Sequence, residues 1–504
     1  MNDAGVFKNL EKLPTGISGF EIISEGGLPR NRTTLLTGTA GSAKTVFAVQ
    51  FLMGGIQRGE NGVMVSFEES PEDIRRNMIG FGWNLAELEK EDRFAFVDAS
   101  PQEDEETIIH GEFDLGALIA RIEHAIKRTQ AKRVSLDSVH AILDRFGDAT
   151  VIRRELYRLA QALRKMEVTS ILTAERTREY GGITRYGVEE FVADNVVILR
   201  NTLEEEKRRR TIEVLKFRGA NHQKGEFPFT VVSGEGVVII PLSAMELKQK
   251  SSNIRVSSGN EELDRMCGGG FFRDSILLVS GATGTGKTLL TTEFIAGGAR
   301  AGERCLLLAS EESREQLFRN AIGWGVDYEK MEQEGLLRVW CRYPEVAGPE
   351  DHLIAIKKLI DEFKPDRVAL DSLSAFERIS TVKSFREFVI ALTSFIKEKQ
   401  IAGLFTANTP TLTGGTSITE THISTITDSI ILLRYVELYG EMRRGVTVLK
   451  MRGSSHDKDI REFLIDGAGM HIGKPFRNVV GILTGNPRHI TPGELERLDR
   501  LFNE

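Results

Sequence analysis

The chain has 504 residues, with 66 Lys and Arg against 73 Asp and Glu, for a net charge of −7. That balance supplies no global basic field for nucleic acid. With hydrophobic residues at 40%, the length suits two α/β domains of roughly 250 residues, each with its own core. No run of about 18 apolar residues occurs, so no membrane span is expected, and the N-terminus MNDAGVFKNLEKLPTG lacks an apolar core of signal-peptide length. Cys267, Cys305 and Cys341 are odd in number, far apart and without a CxxC pair. Neither a zinc site nor a disulfide framework is expected, and a reducing cytoplasm is the expected location.

The first distinctive element in chain order is the Gly-rich run Gly38-Thr39-Ala40-Gly41-Ser42-Ala43-Lys44-Thr45. Glu68-Glu69 ends an apolar stretch, and Asp137 ends RVSLD. The basic run 207–210 follows three glutamates and reads as a solvated hairpin tip. A polar segment, SAMELKQKSSNIRVS at 243–257, separates these features from a second set. There Ile276-Leu277-Leu278-Val279 reads as a buried strand running into Gly281-Ala282-Thr283-Gly284-Thr285-Gly286-Lys287-Thr288, with Leu289, Leu290, Phe294 and Ile295 at helical spacing beyond it. Arg304–Leu308 reads as the next buried strand, followed by Glu311-Glu312, and Val368-Ala369-Leu370 is another, ending at Asp371. Continuous apolar strands of this kind suit a mostly parallel sheet flanked by helices.

The two sets are copies. The lysines differ by 287 − 44 = 243, as do the glutamate pairs (311 − 68 = 243). Later features differ by 234: Asp137 and Asp371, Asp194 and Asp428, Arg218 and Arg452. Each copy is too long for a solenoid unit and must be a whole domain. The chain therefore divides into a first domain at 1–242, a linker at 243–257, a second domain at 258–485 and a tail at 486–504.

Both Gly-rich runs have the form of a phosphate-binding loop. The glycines let backbone N–H groups turn onto phosphate oxygens, and the helix N-terminus adds its dipole. ATP and Mg²⁺ are the expected ligands. Gly38, Gly41, Ser42, Ala43, Lys44 and Thr45 would line the first loop, and Gly281, Thr283, Gly284, Thr285, Gly286, Lys287 and Thr288 the second. Thr45 and Thr288 would meet the metal with Asp137 and Asp371. Ala43 departs from the pattern, standing where the second copy has Gly286. Its Cβ, close to the phosphates, would crowd the loop or restrict its backbone, but nucleotide binding is still expected. Glu68, Glu69, Glu311 and Glu312 can polarise an attacking water or hydroxyl, and Glu311 is also a candidate metal ligand.

At these residues, and at LKMRGSSH and HISTITD, the chain resembles the KaiC family from about Leu13 to Thr491. The resemblance implies two tandem RecA-like P-loop NTPase domains and a homohexamer of stacked double rings, with ATP between subunits. Lys216 and Arg218, in VLKFRG, match family residues that reach the γ-phosphate of a neighbour, and Lys450 and Arg452 match them in the second ring. Arg378 matches an arginine near the phosphoacceptors, and Trp324 an adenine-side aromatic with Phe81 as its first-domain counterpart. Core packing is the alternative reading for both aromatics.

Ser424 and Thr425 match the family's phosphoacceptors, with Thr419 beside them. The internal repeat points the same way. Subtracting 234 lands on Glu190 and Phe191, so only the second copy offers hydroxyls there. The resemblance thus implies a serine/threonine autokinase and autophosphatase with slow ATPase activity, with Glu311 or Glu312 as general base. Phosphate added near Arg378 and Arg434 would alter ring packing. TIIHGEFDLGALI resembles the family's region for a KaiB-like partner. Family members continue into a tail that binds an activator, whereas this sequence ends with ITPGELERLDRLFNE, which leaves a KaiA-like activator in question. Pro492 with Leu495, Leu498 and Leu501 suggests a short helix, able to pack on its own ring or bridge two hexamers. Two other readings compete: a nucleic-acid motor of the RecA or DnaB type, disfavoured by the acidic charge, and a hexameric scaffold gated by nucleotide without kinase activity.

Overall fold

The computed structural model describes residues 10–100, 115–143, 148–184, 187, 189–204, 206–241, 251–409 and 426–489. The chain forms two compact units, Met1–Met245 and Glu246–Glu504.

The first unit is built on a nine-stranded sheet: β1 Thr33–Gly38, β2 Gly62–Ser66, β3 Phe94–Asp98, β4 Arg133–Asp137, β5 Thr169–Glu175, β6 Asn195–Glu204, β7 Lys207–Phe217, β8 Glu226–Val232 and β9 Gly236–Ile239. Their order across the sheet is β3-β2-β4-β5-β1-β6-β7-β8-β9. The six strands from β3 to β6 in that order are parallel, and β7 to β9 run antiparallel beyond them. Successive residues of one strand feed opposite cores: Leu36 and Val197 join one apolar cluster, Leu35 and Val196 the other. This is why the inner strands read as unbroken apolar runs, since both faces are covered.

The second unit repeats the plan with β10 Ile276–Gly281, β11 Cys305–Ala309, β12 Leu337–Cys341, β13 Arg367–Asp371, β14 Ala402–Asn408, β15 Ser429–Leu438, β16 Glu441–Met451, β17 Arg461–Asp466 and β18 Gly469–Pro475. The order β12-β11-β13-β14-β10-β15-β16-β17-β18 matches the first sheet strand for strand. Every residue of β10 is buried.

Each sheet also buries an arginine at the start of the strand that ends in the conserved-offset aspartate. Arg133 is 0% exposed; it pairs with Glu60 at 2.8 Å and donates to Pro14 O and Phe51 O. Arg367 is 1% exposed; it pairs with Glu303 at 2.5 Å and donates to Ser257 O and Phe294 O. A buried guanidinium is tolerated because its donors are satisfied.

Two boundaries differ from the expectation. Arg255–Val256, inside the anticipated linker, pairs antiparallel with Phe271–Phe272 and so belongs to the second domain. Arg488–His489, inside the anticipated tail, pairs with Val479–Val480. The remainder of the tail, 490–504, with its expected helix, lies outside the described residues, as does most of TIIHGEFDLGALI. The basic run opens β7 in a tight hairpin, Glu204 opposite Lys207. It is less solvated than expected: the Arg209 side chain is only 11% exposed, beside Glu204.

Candidate active sites

Each phosphate loop leaves the C-terminal end of the central strand, β1 or β10, and enters a helix, α1 Lys44–Ile56 or α2 Lys287–Arg300. Glycine opens both loops because the chain folds back too tightly for a side chain. A Cβ on Gly38 would stand 2.3 Å from Ser42 Oγ, and one on Gly281 would stand 2.7 Å from Leu433 O. Ser42 and Thr285 donate their hydroxyls to Thr39 O and Ala282 O, each at 2.7 Å. Gly41, Thr283 and Gly284 are exposed at the turn.

Lys44 Nζ donates to Gly38 O and Thr39 O at 3.0 Å, and Lys287 Nζ to Gly281 O and Ala282 O at 2.9 Å. Burial pulls both ammonium pKa values down. Glu175, Asp137, Glu68 and Glu179 oppose this around Lys44, and Asp371 and Glu311 around Lys287.

At the last loop position Ala43 adopts φ 71° and ψ 29°, and Gly286 φ 105°. The left-handed backbone is common to both, so Ala43 carries the strain of an L-residue there. The methyl group is taken up by the core. Ala43 packs against the first core, and a Cβ on Gly286 would meet Ile465 Cδ1 at 2.9 Å.

Asp137 and Asp371 end β4 and β13 beside these loops, and each is followed by a cis peptide bond. Thr173 donates to Asp137, and Thr406 donates to Asp371 at 2.5 Å. Burial raises the Asp371 pKa, against hydrogen bonds from Thr406 and Thr288 and the charge of Lys287. A hydroxyl already directed at a carboxylate, at the mouth of a phosphate loop, is a donor set that fits Mg²⁺ sharing phosphate oxygens. Among the described residues no group of three or more His, Cys, Asp and Glu could hold an ion by itself.

The glutamate pairs follow β2 and β11. Glu69 accepts from Asn77 at 2.5 Å and Glu312 from Asn320 at 3.0 Å, the same contact in both copies (77 + 243 = 320). Burial raises the pKa of both carboxyls, with Asp137 adding to the rise at Glu69 and Asp371 at Glu312. Their partners differ: Glu68 lies 2.9 Å from His140 Nε2, and Glu311 lies 3.0 Å from Arg378.

The four family-matched cations sit elsewhere. Lys216 donates to Glu190 O and Ala193 O, and Lys450 to Thr427 O. Arg218 N–H donates to Asp194 O and Asp194 N–H to Thr33 O, which ties Arg218 to the first residue of β1. Arg452 is tied through Asp428 to Ile276, the first residue of β10, in the same way. The phosphate loops are at the opposite ends of those strands, five residues away, or about 17 Å at 3.3 Å per residue. Lys216, Arg218, Lys450 and Arg452 are therefore not brought to their own domain's loop. Both arginine side chains are 55% exposed. Burial, then the neighbouring arginine, lowers the pKa of each lysine.

Trp324 and Phe81 are half-buried against the apolar cores, Phe81 with its ring 5.1 Å from Trp83. Arg434 is buried. Ser424, Thr425 and Thr419 lie outside the described residues.

The sequence reading missed several groups at the loops. Glu179 accepts from Thr39 Oγ1 at 2.5 Å and from Asn201 N–H at 2.9 Å. Asn201 Nδ2 is 3.4 Å from Gly41 O, and Tyr435 holds the matching place (435 − 201 = 234), its hydroxyl over Gly284. Comparing the copies position by position, rather than motif by motif, would have found that pair.

The family described as "ATPase: KaiC" matches residues 13–244 and again residues 256–476. "Circadian clock protein KaiC3" of Synechocystis sp. is 68% identical over 495 residues, 98% of each chain. "Circadian clock oscillator protein KaiC" of Thermostichus vulcanus is 55% identical over 493 residues, 98% of this chain and 95% of that protein. The protein of the same name from Picosynechococcus sp. is 54% identical over 499 residues.

Proposed function

The chain belongs to the KaiC family of ATPases, and from that premise we propose that it hydrolyses ATP in both domains and phosphorylates itself in the second, at Ser424 and Thr425. In this reading it is a serine/threonine autokinase, autophosphatase and slow ATPase that assembles as a double-ringed homohexamer and serves a timing or signalling system. The names of its relatives support the timing role.

One observation carries the reading. In each domain the Lys–Arg pair lies at the end of the sheet opposite its own phosphate loop. Exposed arginines so placed do not serve their own domain's triphosphate, and a ring of subunits would offer them a neighbour's. Ile426, which follows Thr425 in the chain, precedes the same sheet end in the second domain, two residues before Asp428. Acceptor hydroxyls would thus approach a neighbour's ATP together with Lys450 and Arg452.

Within each site, the loop N–H groups and Lys44 or Lys287 would hold the phosphates, and Thr45 with Asp137, or Thr288 with Asp371, would hold Mg²⁺. The metal would screen phosphate charge. Glu68 and Glu69 would orient and deprotonate water in the first domain, and Glu311 or Glu312 would do so for a hydroxyl in the second. The arginine from the neighbour would stabilise charge on the transferring oxygens. Trp324 and Phe81 would flank the adenine.

The test is to incubate the purified protein with Mg-ATP, measure its size by light scattering and map phosphosites by mass spectrometry. A hexamer phosphorylated at Ser424 or Thr425 is expected. A monomer, or hydrolysis without phosphoprotein, contradicts the reading.

A further inference from the structure

Beside Asp137 the first domain holds a histidine that the second domain lacks. His140 begins the short helix His140–Leu143 and is 7% exposed. Its Nδ1 lies 2.5 Å from Ser138 Oγ, its Nε2 lies 2.9 Å from Glu68 Oε1, and Glu175 Oε2 is 3.6 Å from Nε2. An ionised carboxylate only accepts, so Nε2 carries a proton, and the Nδ1 of a neutral ring then accepts from the Ser138 hydroxyl. The result is a directed chain, Ser138 O–H to imidazole to Glu68. It ends on one of the two glutamates at the phosphate loop.

The second domain keeps Ser372 at the position of Ser138 (138 + 234 = 372) but replaces both His140 and Glu175. Ser374 stands at the position of His140 (140 + 234 = 374). Asn408 stands at that of Glu175, since Gly38 pairs with Glu175 and Gly281 with Asn408. Ser374 Oγ accepts from Asn408 N–H at 2.8 Å, and Glu311 turns to Arg378 at 3.0 Å. The first glutamate of each pair is therefore fixed by a donor, but by a different residue from a different place in the chain.

We infer that His140 is a positioning residue for ATP hydrolysis in the first domain, aiming Glu68 as Arg378 aims Glu311 in the second; this rests on the hydrolytic role proposed above for the first site. The Glu68 side chain is 51% exposed and free to take several rotamers, so a rigid, buried ring at one oxygen fixes where the other oxygen points. Holding a reacting group in place is worth orders of magnitude in rate when lost.

The test uses the full chain with second-domain turnover removed by Glu311→Gln and Glu312→Gln. In that parent, His140→Gln keeps an amide N–H near the place of Nε2, whereas His140→Asn keeps only the Ser138 side. His140→Asn and His140→Ala are expected to lower kcat about tenfold with KM for Mg-ATP within about twofold, and His140→Gln to stay near the parent. Added to Glu68→Gln, His140→Ala is expected to cost nothing further. The inference is overturned if Asn and Ala match the parent, if Gln falls as far as Ala, or if the loss is undiminished on Glu68→Gln. A parent with no turnover at all contradicts the hydrolytic role itself, and the inference with it.

Discussion

The two domains agree in sheet order strand by strand, in the lysine bonded to the first two carbonyls of the phosphate loop, and in the threonine that donates to the aspartate beside it. They diverge in what surrounds that common centre. Among the described residues, Glu175 and Glu179 stand around Lys44 in addition to Asp137 and Glu68, whereas Asp371 and Glu311 stand around Lys287. The first domain offers Glu190 and Phe191 where the second has Ser424 and Thr425. Duplication thus preserved the phosphate loop and let its surroundings change. In the function proposed above, the first site would be left to water and the second would gain an acceptor hydroxyl.

The largest expected effect separates the domains through their exposed arginines. Arg452→Ala should lower phosphoprotein formation about a thousandfold, the scale of a lost arginine finger, and leave first-domain hydrolysis within about twofold. Arg218→Ala should do the reverse. Site-resolved ATPase and phosphopeptide assays read both, and equal losses from either substitution would erase the distinction.

Next is the feature the domains hold in common. Removing one partner of a buried charge network costs about 3–5 kcal/mol. Arg367→Ala should therefore destabilise the second domain by that amount, and Arg133→Ala the first, by denaturant titration with domain-specific probes. A loss confined to one domain would show that the two networks are not equivalent.

The smallest effect concerns the loop itself. Ala43→Gly should relieve a left-handed alanine and stabilise the first domain by about 0.5–1 kcal/mol, with a modest change in ATP affinity seen by calorimetry. Destabilisation would mean that the methyl group's packing outweighs the backbone strain.

Much of this was legible in sequence, for identifiable reasons. Strands such as Ile276–Val279 are apolar throughout because both faces are buried, and the Gly-rich loops have few conformational alternatives. Other parts were not legible. Arg133 and Arg367 look like surface residues until three-dimensional partners from three separate segments enclose each of them. The direction of the Ala43 methyl depends on residues of distant strands. Nothing local to VLKFRG says that Arg218 sits at the far end of β1 from its own loop; the hydrogen bonds through Asp194 do. The contact of His140 with Glu68 joins residues 140 − 68 = 72 positions apart.

The most direct test mixes two altered chains under conditions that exchange subunits. One carries Lys287→Ala and keeps both acceptors; the other carries Ser424→Ala and Thr425→Ala and keeps its ATP site. With labelled Mg-ATP, phosphate should appear on the Lys287→Ala chain, at Ser424 or Thr425. If that chain stays unlabelled in the mixture while the unaltered protein labels itself, transfer between neighbouring molecules is contradicted.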